Sequence, residues 1–156
     1  MSLLTKAVSD PSIFNRWGPD FAVEHGLVLA CNDGAVMTVG FGHRYPSVEV
    51  WSTSRVDQPW RVDDEGIDAV SDLLHAAHVA VSDDVPANEE WHYRPMGTGV
   101  PVPWRIILKL RTSTLAGFEG GTKIYVNTIS PTTLAAMLLP KLVAARAAGG
   151  IAARNL

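Results

Sequence analysis

The run Trp104–Pro131, WRIILKLRTSTLAGFEGGTKIYVNTISP, decides how this chain folds. Its opening residues alternate. Trp104, Ile106, Leu108 and Leu110 fall on one side, and Arg105, Ile107, Lys109 and Arg111 on the other, which is the two-residue period of a strand with one face on a core. The character then changes. Gly117, Gly120 and Gly121 surround Phe118 and Glu119, so the backbone there is free to turn sharply or to approach a ligand closely. Thr122–Thr128 reads as a further strand. Ser130-Pro131 then opens a helix, with Ser as cap and Pro at the first helical position, where its missing N–H costs nothing.

Downstream, the helix should end at Gly149-Gly150. Pro140 lies inside it and predicts a kink or a split into two. Upstream, "FAVEHGLVLA" and "AVMTVGF" flank Asp33-Gly34 and read as a β-hairpin. "VEVWSTS" alternates as a third strand. "VDDEGIDAVSDLLHAAHVAVSDDV" is the clearest helix: Asp63 or Asp64 can cap it, acids crowd its first turn, and Ile67, Val70, Leu74, Ala77 and Val81 share one face. "EEWHYRPM" is a short strand, and "GTGVPVP" a loop. Strands, helix, strands, helix is the order of an α+β domain over residues 1–156, an antiparallel sheet with helices packed mainly on one face. Residues 1–15 are expected to be irregular.

The 156 residues suffice for one domain with an adequate core. A net charge of −3 argues against a nucleic-acid partner. No apolar run is long enough for a membrane span. Cys31 is alone, which excludes an intrachain disulfide and fits a reducing cytosol.

The chemistry-bearing residues are few. His75 and His78 are three apart on the long helix, but no carboxylate on that helix completes a metal set. His25, His43 and His92 fall in separate strands and loops, and spacing does not join them. No G-x-S-x-G, G-x-x-x-x-G-K or H-E-x-x-H occurs. Two features remain. Arg105, Lys109 and Arg111 form either a solvated strand face or a cationic wall for a phosphate, which a planar guanidinium suits. Glu119 is either a turn residue or an acceptor of two hydroxyl hydrogen bonds, as sugars require.

The stretch from Ser113 to Leu138 resembles the C-terminal repeat of galactose-1-phosphate uridylyltransferases and their relatives of the histidine-triad-like fold. Gly117-Phe118-Glu119 matches that family's Gly-aromatic-Glu element, and Arg111 matches the arginine that ends its preceding strand. The resemblance implies a histidine-triad-like sheet in which Glu119 binds hexose hydroxyls, with Gly117, Phe118, Arg111 and Arg105 around the ligand. It also implies pairing, as a homodimer or with a partner repeat. Pro103 and Arg105 stand where the family's strand carries two histidines that help bind a metal in several members, so no metal and no other cofactor is expected. No His-Pro-His occurs, and double-displacement uridylyl transfer needs a histidine to hold the nucleotide covalently. No catalytic residue is therefore assigned. The expectation is a non-catalytic or degenerate uridylyltransferase-like domain, cytoplasmic, binding a sugar phosphate or nucleotide sugar. The alternatives are a nucleotidyltransferase or hydrolase that uses one of the five histidines, and a C-terminal fragment of a larger enzyme.

Overall fold

The computed structural model describes residues 6–112 and 117–152. In chain order its elements are α1 (Ile13–Arg16), α2 (Pro19–Glu24), β1 (Val28–Cys31), β2 (Ala35–Val39), β3 (Ser47–Ser52), a 3-10 turn (Pro59–Arg61), α3 (Asp64–Val81), β4 (Ala87–His92), β5 (Arg105–Leu110), α4 (Gly117–Thr122) and α5 (Pro131–Ala147). The strands form one antiparallel sheet in the order β1-β2-β3-β5-β4. The fold is α+β, as the element order implies.

One face of the sheet is the core. Met37, Val48, Val50, Trp104, Ile106 and Leu108 are sealed there against α3 and α5. Helix α3 forms because Asp63 caps it, its carboxylate accepting the Gly66 N–H at 3.0 Å, while Asp64 and Glu65 meet the dipole in the first turn. It buries Val70, Leu73, Ala76, Ala77, Ala80 and Val81, while Ile67 and Leu74 pack at the margin. Ser130 caps α5 by accepting the Thr133 N–H at 3.1 Å, and Leu134, Ala135, Leu138 and Leu142 turn inward. A sealed leucine such as Leu73 or Leu142 contributes about 2 kcal/mol.

Several expectations are corrected. Phe21–Glu24, read as the start of the first strand, is helical: Pro19 begins α2, and β1 starts only at Val28. Glycines 117, 120 and 121 do not make an open loop but sit in the short helix α4. Thr122–Thr128 is not a strand. Lys123 adopts a left-handed φ of 61°, which ends α4 and breaks the extended path, and Lys123–Asn127 pairs with none of the five strands. Pro140 does not split α5, which runs unbroken to Ala147. Its ring is on the exposed side of the helix, where water can take up the carbonyl left without a donor. The segment 1–15 is described from Lys6 onward, and there Ala7 and Ile13 are already buried. Ser113–Ala116, part of the stretch that carries the family resemblance, lies outside the described residues.

The second face of the sheet is set by register. Paired residues on antiparallel strands point to the same side. Val36, Trp51, Arg105 and His92 therefore form one row, and Thr38, Glu49, Ile107 and Glu90 the next. The turn between α1 and α2 comes down on Trp51. A Cβ at Gly18 would lie 2.6 Å from the indole, so only glycine allows that approach.

Candidate functional site

At the centre of this second face stands Glu49, 4% exposed in the middle of β3. A carboxylate so deep must be paired to remain charged. His43, on the loop after β2, donates from Nε2 to Glu49 Oε1. Arg105 Nη1 lies 4.0 Å from the other oxygen, Oε2. Burial alone pushes the Glu49 carboxyl up. The hydrogen bond from His43 and the charges of Arg105 and His43 together outweigh it and hold the group below its ordinary range. Burial pushes the Arg105 guanidinium down, and Glu49 offsets part of that. The guanidinium also stacks on Trp51, 4.2 Å from the ring centre. Gly40 makes room for this cluster: a Cβ there would meet Ser47 Oγ at 2.5 Å and the His43 ring at 2.7 Å. Beyond Ile107, Glu90 accepts from Lys109 Nζ at 2.6 Å and from His92 Nε2 at 3.3 Å. The Lys109 hydrogen bond is the main reason its carboxyl is lowered.

A second cluster forms where Arg44 and Tyr45, from the loop before β3, meet the chain beyond β5. The Arg44 guanidinium lies 4.0 Å from the ring centre of Tyr125 and 5.1 Å from that of Tyr45. Arg111 approaches Tyr45 at 5.6 Å. Among the described residues, no carboxylate lies within salt-bridge distance of Arg44 or Arg111. Arg44 Nε is buried with no hydrogen-bond partner. This is a basic pair braced by aromatic rings, and its charge is not met by a carboxylate among the described residues.

Glu119 controls the segment that carries Tyr125. Its Oε1 accepts the Val126 N–H at 3.0 Å, one residue beyond the ring that supports Arg44. Asn127 then ties the same segment to the other cluster, Nδ2 donating to the His43 carbonyl at 3.4 Å.

The expected site residues thus fall into two groups. Arg105 is paired within the sheet face. Arg111 joins Arg44 at the cluster with Tyr45, and Glu119 is linked to that cluster through Val126. Arg105 and Arg111 start about 20 Å apart along an extended chain, too far to share one phosphate without both reaching inward. Phe118 is 61% exposed, and Gly117 is exposed beside it. The histidines do not gather: His25 stacks on Phe21, His75 is exposed, His78 meets Glu89 and His92 meets Glu90. No group of three or more His, Cys, Asp or Glu able to hold a metal occurs among the described residues. Reading the sequence missed Glu49, although a glutamate between two valines and two residues before a tryptophan signals a buried carboxylate. It also missed Arg44, Tyr45 and Tyr125, which meet only through the fold.

Two clefts are lined by other residues. One of about 520 Å³ is lined by Asn15, Asp20, Arg55, Asp57, Val102 and Pro103, among others. The other is rimmed by Asp33, Asp63, Glu65, Asp68 and Asp72 beside the β1–β2 turn. Pro103 lines the first cleft. No helix among the described residues is long and apolar enough to cross a membrane.

An antiparallel five-stranded sheet with its helices mainly on one face and a polar opposite face is the fold of uridylyltransferases and their histidine-triad-like relatives. A solved uridylyltransferase matches with a TM-score of 0.67 and 14% identity, over 90% of this chain and 51% of its own. An ADP-glucose phosphorylase from Arabidopsis thaliana, solved with ADP-glucose bound, matches with a TM-score of 0.66 and 20% identity, over 82% of this chain and 47% of its own. The chain spans about half the length of these proteins. No curated protein sequence matches it. A family model covers residues 3–155, and the chain belongs to that family, described as a domain of unknown function, DUF4921.

Proposed function

We propose that this chain is a degenerate uridylyltransferase-like domain that binds a sugar phosphate or nucleotide sugar and does not itself catalyse transfer. The observation that carries the reading is the basic pair Arg44–Arg111, braced on Tyr45 and Tyr125 and not neutralised within the described residues. A phosphate supplies that missing charge and takes guanidinium donors in a planar fork. Glu119 shapes the site through Val126, whose N–H its Oε1 accepts at 3.0 Å. The ADP-glucose in the fold relative supports the ligand class. Arg105 is charge-paired with Glu49, so it borders the ligand rather than gripping its phosphate. The domain works in the cytoplasm and pairs with a second copy or a partner repeat.

One observation favours a second reading. His43 is held by a buried carboxylate, and an imidazole oriented in that way can move a proton from Nδ1. That would make the chain a hydrolase or nucleotidyltransferase.

A thermal-shift screen with nucleotides, sugar phosphates and nucleotide sugars separates the two. A true ligand at a hundredfold excess over its Kd stabilises by about 2.7 kcal/mol. Arg44→Ala and Arg111→Ala should each abolish that shift. No stabilisation by any phosphorylated sugar overturns the binding reading. Turnover of a nucleotide sugar that His43→Ala removes would establish the enzyme instead.

A further inference from the structure

We infer that Asn127 is the positioning residue of the basic site: its amide clamps the segment that carries Tyr125 to the loop that carries Arg44, and so holds the ring on the guanidinium before any anion arrives. This role deepens the binding proposed above and rests on it; the clamp itself needs no ligand.

Little else holds this segment. Lys123–Ile129 belongs to no strand of the sheet. Among the described residues, no backbone hydrogen bond joins Ile124–Thr128 to another part of the chain. The Val126 N–H goes to the Glu119 side chain and the Ile124 N–H to that of Thr122, both in α4, which buries none of its own residues. Ile124 and Val126, on either side of Tyr125, are exposed, so neither pins the segment to the core. A single cation–π contact at the surface, such as Tyr125 on Arg44, is too weak to order a segment alone.

Asn127 differs from its neighbours. It is half-buried, and both ends of its amide are engaged. Oδ1 accepts the Ile129 N–H at 3.2 Å, and Nδ2 donates to the His43 carbonyl at 3.4 Å. An N–H can only donate and a carbonyl can only accept, so this orientation of the amide is the one that satisfies both. Each partner is anchored. Ile129 packs on the core and leads into the Ser130 cap of α5, whose Leu134, Ala135 and Leu138 are buried. The His43 ring is held by Glu49, and its loop is closed where the Gly40 N–H donates to the Ser47 carbonyl at 2.8 Å. One side chain thus bridges a helix fixed in the core and a loop fixed on the sheet. The turn before α5 needs only an acceptor, which serine or aspartate also supplies. The donor to His43 is what asparagine adds.

That bridge sets the geometry at the basic site. Arg44 follows His43 directly, and Tyr125 lies two residues before Asn127. Tying Asn127 to His43 therefore places the Tyr125 ring, whose centre is 4.0 Å from the guanidinium. A stacked guanidinium keeps its in-plane donors for a phosphate. Freedom that Arg44 has already given up need not be given up again on binding.

The Nε–H resonance of Arg44 in 15N-correlated spectra, assigned with Arg44→Lys, reads the clamp directly. The Tyr125 ring current displaces it, and Tyr125→Leu gives its position without the ring. Asn127→Ser keeps an acceptor for the Ile129 N–H but does not reach the His43 carbonyl. It should move the Arg44 signal most of the way to the Tyr125→Leu position while leaving Tm nearly unchanged. Inorganic phosphate titrated against the same signal should bind Asn127→Ser about two- to tenfold more weakly, the range for one side chain that must now be immobilised on binding. Asn127→Ala is read in the same way if Asn127→Ser folds poorly. An Arg44 signal that keeps its wild-type position in both variants, while Tyr125→Leu moves it, overturns the clamp. A signal that moves with phosphate affinity unchanged overturns the positioning role. Phosphate that moves neither Arg44 nor Arg111 in the wild-type protein overturns the binding reading, and the role in binding with it, whatever the Arg44 signal shows of the clamp.

Discussion

Replacing Glu49 with glutamine keeps its shape and removes its charge. Two partners lose by it. His43 gives up a charge-assisted hydrogen bond, and Arg105 is left buried with only Trp51 against its guanidinium. Breaking a buried ion pair from one side costs about 3–5 kcal/mol. The Arg105 contact is long, at 4.0 Å, and Trp51 still stabilises the cation, so the expected loss is about 2–3 kcal/mol. For a domain of this size that lowers Tm by about 4–12 °C. Urea unfolding of Glu49→Gln, Arg105→Met and the double variant measures it directly. The double variant should lose less than the sum of the singles by about 1–2 kcal/mol, because once the carboxylate is gone the guanidinium is only a burden. A loss below about 0.5 kcal/mol for Glu49→Gln, or strict additivity, would refute the claim that a buried charge pair organises this face.

The same carboxylate predicts a pH dependence. Its folded pKa lies below the ordinary 4.5, so the unfolded chain binds more protons. The stabilisation is complete above about pH 4.5 and is lost as pH falls through the folded value, with Glu90 adding a smaller effect in the same window. The urea midpoint against pH should show this fall, and Glu49→Gln should flatten it. Glu119→Gln keeps an acceptor for the Val126 N–H, so the unliganded Tm should barely move while sugar-phosphate affinity drops. Glu119→Ala releases that N–H, costing about 0.5–1.5 kcal/mol, and the Val126 amide should exchange faster. Unchanged exchange at Val126 would remove Glu119 from its anchoring role.

What could be read from the sequence was whatever local chemistry decides. The alternation from Trp104 to Leu110, the Asp63 and Ser130 caps and the turn at Asp33-Gly34 each act within a few residues, and each stands as read. The failures share a cause. Phe21–Glu24 has strand-like residues, but Pro19 pre-sets a helix and Ala22 is drawn into the core. Thr122–Thr128 has β-branched and aromatic residues but pairs with none of the five strands, and strand propensity without a partner does not make a strand. Pro140 breaks helices in general, yet α5 is held to the sheet by leucines on either side of it, which outweighs the one lost hydrogen bond. The candidate site was half legible. Arg105, Arg111 and Glu119 stood out by composition and by resemblance. Their partners, His43, Arg44 and Glu49, lie more than fifty residues earlier in the chain, and only the register of β2, β3 and β5 brings them near.

That register also decides which arginine is charge-paired within the sheet. Arg105 stands in the row of Trp51 and next to the row of Glu49, so its charge is met inside the sheet. By the end of β5 the strand has passed the last carboxylate on this face, and Arg111 meets Tyr45 and Arg44 instead. A ligand phosphate at Arg105 would have to displace Glu49 from a buried pair. At Arg44 and Arg111 it would break no ion pair of the described residues. Disrupting a buried pair costs several kcal/mol, so the proposed anion is favoured at the second cluster, where no such pair has to be broken.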